Sequence, residues 1–264
     1  QSLAAHVIGR SPTMRKLALQ LYTVRESANA DFVGTLKQIA AIGFQGVEGA
    51  GNLGNMPARE LARILDDLGL KMISGHIGLD AIRHGLERQI EAYSTLGARY
   101  LGLAWMAENE RRDAAGYRAL ARTLEDAARK CAPAGLTFFH HNHDFEFKQY
   151  DGQYGLDILL AESDPALVKS ELDVFWAAHA GVDPSAYLRR LNGRAPLVHL
   201  KDMTADAERT FAIIGEGTID FAPILAASDE TGVDWHIVEQ DHCPKGELAS
   251  ARASFNHLRA KGWF

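Results

Sequence analysis

The feature that most restricts the fold of this chain is an alternation, met eight times, between a short apolar stretch and a longer stretch with helical spacing. Leu17 to Thr23 reads as the first strand. Phe32, Leu36, Ile39 and Ala40 then recur at helical spacing between Ala30 and Ile42, and Gly43 follows as a helix stop. Gly46-Val47-Glu48 is a second strand, Met56 to Leu68 a helix stopped by Gly69, Lys71 to His76 a third strand, and Asp80 to Leu96 a helix stopped by Gly97. Tyr100 to Leu103 is a fourth strand, followed by a long helix from about Arg111 to Ala132. A fifth strand ends at about His141, followed by a short helix from Asp157 to Ala161. The last strands are Leu167 to Asp173, Leu197 to Lys201 and Asp234 to Glu239, and their helices are Pro184 to Leu191, Phe221 to Ala227 and Gly246 to Arg259. Such a repeat calls for a parallel sheet covered by helices. Eight units in roughly 250 residues predict one α/β domain, a (β/α)8 barrel, rather than an open sheet. No Pro-, Gly- or Ser-rich linker divides the chain, so the barrel is expected to run over 14–264, after a flexible leader at 1–13.

Active sites of such barrels form at the C-terminal ends of the strands. The sequence is asymmetric in that sense. The predicted N-terminal ends carry Gly46, Lys71, Thr137 and Leu197. The C-terminal ends carry Gln20, Glu48, His76, Trp105, the run His141-Asn142-His143, Asp173, His199 with Lys201 and Asp202, and Glu239 with Gln240. Three of the chain's eleven histidines fall within 140–143. Asp173, His199 and Glu239 each follow an apolar residue, and two carboxylates with an imidazole suit Mn²⁺, Mg²⁺, Co²⁺ or Zn²⁺. Carboxylates gathered at one end of a barrel repel one another, and a cation removes that cost.

Each residue alone has a plainer reading. A strand-end Asp commonly caps the next helix, and a lone His is commonly satisfied by the backbone. Convergence on one predicted face is what favours a site. Trp105, Trp176 and Phe175 are read as an apolar wall for a sugar or as packing. Lys201 is read as a contact to an anionic or hydroxyl-rich substrate, or as a partner of Asp202 or Glu239. Glu146 is either support for the ligands or a surface acid. His140 alternates in pleat with His141, so it is expected to face the helices. Gly215-Glu216-Gly217 is not a nucleotide-binding motif.

The net charge of −6 and the lack of a basic stripe argue against a nucleic-acid partner. No apolar run approaches the roughly 18 residues that span a membrane. Two cysteines without CxxC spacing suggest a reducing, cytoplasmic setting, although a chain that begins at Gln1 is also compatible with a trimmed export signal.

Several stretches together carry a family resemblance: Leu19-Gln20-Leu21-Tyr22-Thr23-Val24-Arg25, Gly43 to Glu48, His141 to Phe147, Leu172 to Trp176, His199-Leu200-Lys201-Asp202, Gly215 to Phe221 and Val238-Glu239-Gln240-Asp241. In order and spacing the chain resembles the sugar phosphate isomerase/epimerase superfamily, the xylose-isomerase-like TIM barrels. The resemblance implies a divalent metal held by Glu, Asp, His and Glu from strands five to eight. The last three map onto Asp173, His199 and Glu239. Many relatives have Glu-Asn-His after strand five, so His141 stands where the first Glu would be. It either ligates through a ring nitrogen or the site drops that ligand.

Superfamily epimerases often pair the strand-five and strand-eight glutamates as acid and base. Here the resemblance implies Glu239 as base, with His143, Glu48 or His76 as its partner. Gln20, His76, Trp105, Asn142, Trp176 and Lys201 are the expected substrate contacts. The implied activity is metal-dependent isomerisation or epimerisation by proton transfer next to the carbonyl of a sugar or keto-sugar. The alternatives are a keto-sugar hydratase or lyase, or a non-catalytic sugar-binding barrel or subunit. An endonuclease-type relative is disfavoured by the charge, and a homo-oligomer is compatible with the sequence.

Overall fold

A computed structural model describes residues 15–264. Eight strands close into a parallel barrel: β1 Leu17–Gln20, β2 Gly46–Ala50, β3 Lys71–Ile77, β4 Tyr100–Leu103, β5 Thr137–His141, β6 Val168–Asp173, β7 Leu197–Leu200 and β8 Trp235–Val238. Each strand pairs with the one before it, and β8 closes the ring on β1. The expected (β/α)8 barrel is therefore the fold. The leader read at 1–13 lies outside the described residues.

The helices bury the faces their spacing predicts. Ala58–Leu68 buries Leu61 and Leu65. Ala114–Cys131 buries Tyr117, Leu120, Ala121, Leu124, Ala127, Ala128 and Cys131, a stripe at three- and four-residue spacing, and Asp113 caps it by accepting from the Gly116 amide. Burial of each such Leu contributes about 1.5–3 kcal/mol before entropy is counted. Inside the lower barrel, Ala18, Ile73, Tyr100, Phe139, Leu197, Trp235 and Ile237 form a separate apolar plug. Gly102 admits the Phe139 ring to that plug, because a Cβ there would lie 2.5 Å from the ring.

Three differences from the sequence reading have local causes. β1 stops at Gln20 and the chain enters a 3-10 turn over Leu21–Val24, because the Gln20 side chain accepts from the Tyr22 amide and caps it. The helix expected from 80 to 96 is two helices, Leu79–His84 and Leu86–Thr95, divided at Gly85. A short helix, Val174–His179, follows β6 directly, with Asp173 as its cap through the Trp176 amide. The two-glycine loop is also spoken for. Asp202 accepts from the amides of Met203, Gly215, Gly217 and Ile219, so those loop amides are turned toward a protein carboxylate rather than a phosphate.

Candidate active site

Side chains alternate along a strand, so residues two apart share the barrel interior. The tips of β5, β6 and β7, and the residue just past β8, bring His141, Asp173, His199 and Glu239 together. One ligand atom from each lies within 4.8 Å of the others. His141 Nε2 is 3.8 Å from Asp173 Oδ2, and His199 Nδ1 is 4.0 Å from that oxygen and 2.8 Å from Glu239 Oε2. All four residues are buried. Asp173 divides its oxygens: Oδ1 caps the helix, while Oδ2 receives no hydrogen bond, although the Lys201 ammonium is 3.1 Å away.

The far nitrogens of the two histidines are held by carboxylates. His141 Nδ1 lies 3.0 Å from Glu171 Oε2, and His199 Nε2 lies 2.7 Å from Glu48 Oε1. Carboxylates in that position fix ring orientation and raise the basicity of the opposite nitrogen. Gln20 Nε2 and Ser74 Oγ donate to Glu48 at 2.7 and 2.5 Å, and His76 Nε2 lies 2.6 Å from Glu171. The donor set, two imidazoles and two carboxylates on a common point, is of the kind that holds a divalent cation.

Charge is concentrated here. Burial pushes the His141 ring well below its ordinary range and keeps it neutral. Burial would raise the Glu239 carboxyl, but the Lys201 ammonium and His199 outweigh it and hold it well below the usual carboxylate range. Burial would likewise lower Lys201, yet Asp173, Glu239 and Asp241 hold its ammonium well above its ordinary range. Lys201 Nζ is 2.6 Å from Glu239 Oε2 and 3.0 Å from Asp241 Oδ1, so of the partners expected for it Glu239 is found and Asp202 is not. His143 is lowered to about 3, first by burial and then by Lys201.

Above this cluster opens a cavity of about 820 Å³. His76, His141, His143, Lys201, Glu239, Asp241 and Trp105 line it. Other expected contacts are elsewhere, for reasons the hydrogen bonds make plain. Gln20 is buried beneath the cavity between Glu48 and the Tyr22 amide. Asn142 clasps β5 to β6: its Oδ1 accepts from the Asp173 amide and its Nδ2 donates to the Asp173 carbonyl. Trp176 backs the site, with Lys201 5.7 Å from its ring and Phe175 and Phe211 packed beside it. Glu48, read as an acid/base partner, is fully buried among Gln20, Ser74, His76 and His199 and does not line the cavity. Its geometry serves the histidines rather than a substrate.

Glu146 is no surface acid. It is buried, lies 2.9 Å from His140 Nε2, and accepts from the His143 amide at 2.7 Å. His140 meets Glu146, whereas its neighbour His141 meets Glu171 in the cluster, so the two rings leave β5 on opposite sides. Glu171 and Asp241 escaped the sequence reading. Each lies two residues from a residue already singled out, Asp173 and Glu239, and that spacing was the available signal.

Among the described residues, no helix is long and apolar enough to cross a membrane. The chain is 26% identical over 248 residues to an inosose dehydratase of Geobacillus kaustophilus, covering 79% of this chain and 80% of that one. A sugar phosphate isomerase/epimerase from Parabacteroides distasonis superposes with a TM-score of 0.81 at 21% identity, over 98% of this chain and 99% of that one. The IOLI protein, crystallised with a zinc atom, superposes with a TM-score of 0.74 at 16% identity, over 94% and 99%. Residues 36–261 match the family described as xylose isomerase-like TIM barrel, and with the closed barrel around this cluster they show that the chain belongs to that family of enzymes.

Proposed function

We propose that the protein is a divalent-metal-dependent lyase of the dehydratase type. It removes the proton next to the carbonyl of a keto-sugar or keto-cyclitol and expels the hydroxyl on the following carbon. The observation that carries the metal is the pair of carboxylate-held histidines, His141 on Glu171 and His199 on Glu48, whose near nitrogens face Asp173 Oδ2 and Glu239 Oε2. His141, Asp173, His199 and Glu239 would hold the ion. When bound, it polarises the substrate carbonyl and stabilises the charge that develops there.

The chain's own groups supply the rest. Glu239, kept anionic by Lys201, takes the proton from the carbon next to the carbonyl. The electron pair forms the new carbon–carbon double bond as the carbon–oxygen bond breaks. The lost proton and hydroxyl together make one water. Lys201, protonated and on the cavity wall, gives its proton to the departing oxygen, which leaves as water, and the proton taken by Glu239 passes back to Lys201 across their 2.6 Å contact. His143, uncharged, orients a neighbouring hydroxyl.

The kinship with an inosose dehydratase supports this reading, and so does His141 in place of a second glutamate base. Epimerisation is the second reading. It is favoured by His143, which lines the same cavity as Glu239 and could carry a proton on another face of the substrate. Metal-loaded protein incubated in D₂O with a panel of keto-sugars and inososes separates the two. A lyase yields a conjugated enone with ultraviolet absorbance and a mass lower by one water. An epimerase yields deuterated substrate and epimer of otherwise unchanged mass. Absence of both products rules out the proposed activity on these substrates.

A further inference from the structure

The cavity reaches well beyond the reacting cluster. From His141, His143, Lys201 and Glu239 it extends across the ends of β3 and β4, between the short helix Leu79–His84 and the segment Ala104–Glu110. Its volume of about 820 Å³ lies in the upper part of the roughly 300–1,000 Å³ range of pockets that enclose drug-sized ligands, so a single sugar ring fills only part of it.

The lining of this extension combines Ile77, Leu79 and Met106 beside Trp105 and Tyr22 with a polar rim that includes Asp80, His84, Asn109 and the Arg83–Glu110 pair. Among the described residues, Tyr22 and Trp105 are the large hydrophobic side chains that stand exposed, at 43% and 54%, and both belong to this one cavity. Exposed aromatic area is costly in water and marks a ligand surface when it gathers in a groove. The wall is also held in shape. Arg83 donates two hydrogen bonds to Glu110, at 2.9 and 2.8 Å, and so ties the segment after β3 to the segment after β4. Arg25 lies 4.2 Å over the Tyr22 ring and braces it.

We infer that this extension is a second subsite, built for a ring carried by the reacting sugar. The substrate class is then a keto-glycoside whose aglycone presents a flat face, either another sugar or an aryl group, rather than a free keto-sugar. Trp105 is the stacking platform for that ring and Tyr22 its flank, while the metal-ligand side of the cavity takes the keto ring. This rests on the proposed keto-sugar chemistry for the identity of the first ring, but not for the presence of the second.

The test uses metal-loaded protein and unreactive probes, read by calorimetry: methyl β-glucoside, cellobiose and 4-nitrophenyl β-glucoside. The inference expects at least one ring-bearing probe to bind about tenfold tighter than methyl β-glucoside, equivalent to about 1.4 kcal/mol. Cellobiose ahead of the nitrophenyl glycoside assigns the subsite to a sugar, and the reverse order to an aryl group. Trp105→Ala should abolish the preference and Trp105→Phe should retain most of it. Equal binding of all three probes overturns the subsite, as does a Trp105→Ala loss that is the same for all three. Deuterium exchange on keto-sugars is measured in parallel. Ring preference without exchange refutes the proposed chemistry and leaves the subsite standing. Exchange without ring preference does the reverse.

Discussion

From β5 to β8 the barrel mouth ends in His141, Asp173, His199 and Glu239, buried and joined to Glu171, Glu48 and Lys201 by short polar contacts. From β1 to β4 the same mouth turns Ala50, Ile77, Ala104 and Trp105 to the open volume, while Glu48 of β2 and His76 of β3 reach beneath it to His199 and Glu171 and belong to the charged side. Both halves come from one repeated strand–helix unit. One half is dense with charge and leaves little room; the other is roomy and has few charges that are not already paired, as Arg83 is with Glu110. The difference separates two jobs. The first half can hold a cation and move a proton, and the second can recognise shape.

The largest expected effect comes from breaking the charged half. Glu239→Gln keeps the size of the side chain and removes its charge, and should slow α-proton removal by about 10²–10⁴-fold. The rate of deuterium loss from a labelled keto-sugar checks it. A rate near wild type would move the base elsewhere. Next come the carboxylates behind the histidines. Glu171→Gln and Glu48→Gln should each weaken metal affinity by about 10–100-fold, measured by competition with a chelator. If they leave affinity unchanged but slow turnover as Glu239→Gln does, Glu48 and Glu171 act on substrate and the separation between the halves fails.

The barrel was legible because every unit repeats the same signals: an apolar run, a helical stripe and often a glycine stop such as Gly43, Gly69 or Gly97. The clustering of His141, Asp173, His199 and Glu239 was legible because strand tips of a barrel converge. What strand position does not reveal is whether a tip is already consumed by a neighbour. Gln20, Asn142 and Trp176 stand at or beside tips, yet their polar atoms or rings are engaged in holding turns, strands and Lys201. Glu171 was hidden for the opposite reason. It reads as an ordinary mid-strand charge until the pleat places it on the barrel axis. The Arg83–Glu110 pair joins segments 27 residues apart, and nothing local in either segment announces it.

A smaller effect concerns a histidine outside the cluster. His236, on β8, is buried with neither ring nitrogen hydrogen-bonded, and burial lowers it to about 3. An unfolded histidine titrates near about 6.5. The folded state thus binds the proton less readily than the unfolded one, so His236 contributes stability that is present above about pH 6.5 and is lost as pH falls toward about 3. His236→Phe should therefore lose less stability than wild type between pH 7 and pH 4, as read by denaturant midpoints. Parallel losses in the two proteins would show that this ring is not titrating on unfolding.

The central claim is that the charged half is a metal site in which His141 is a ligand. Metal content after reconstitution and desalting, compared for wild type, His141→Ala and Asp173→Ala, tests it most directly. Wild type should hold stoichiometric metal and both variants should retain it at least tenfold more weakly, with circular dichroism showing the barrel intact. Wild-type metal content in both folded variants would contradict it.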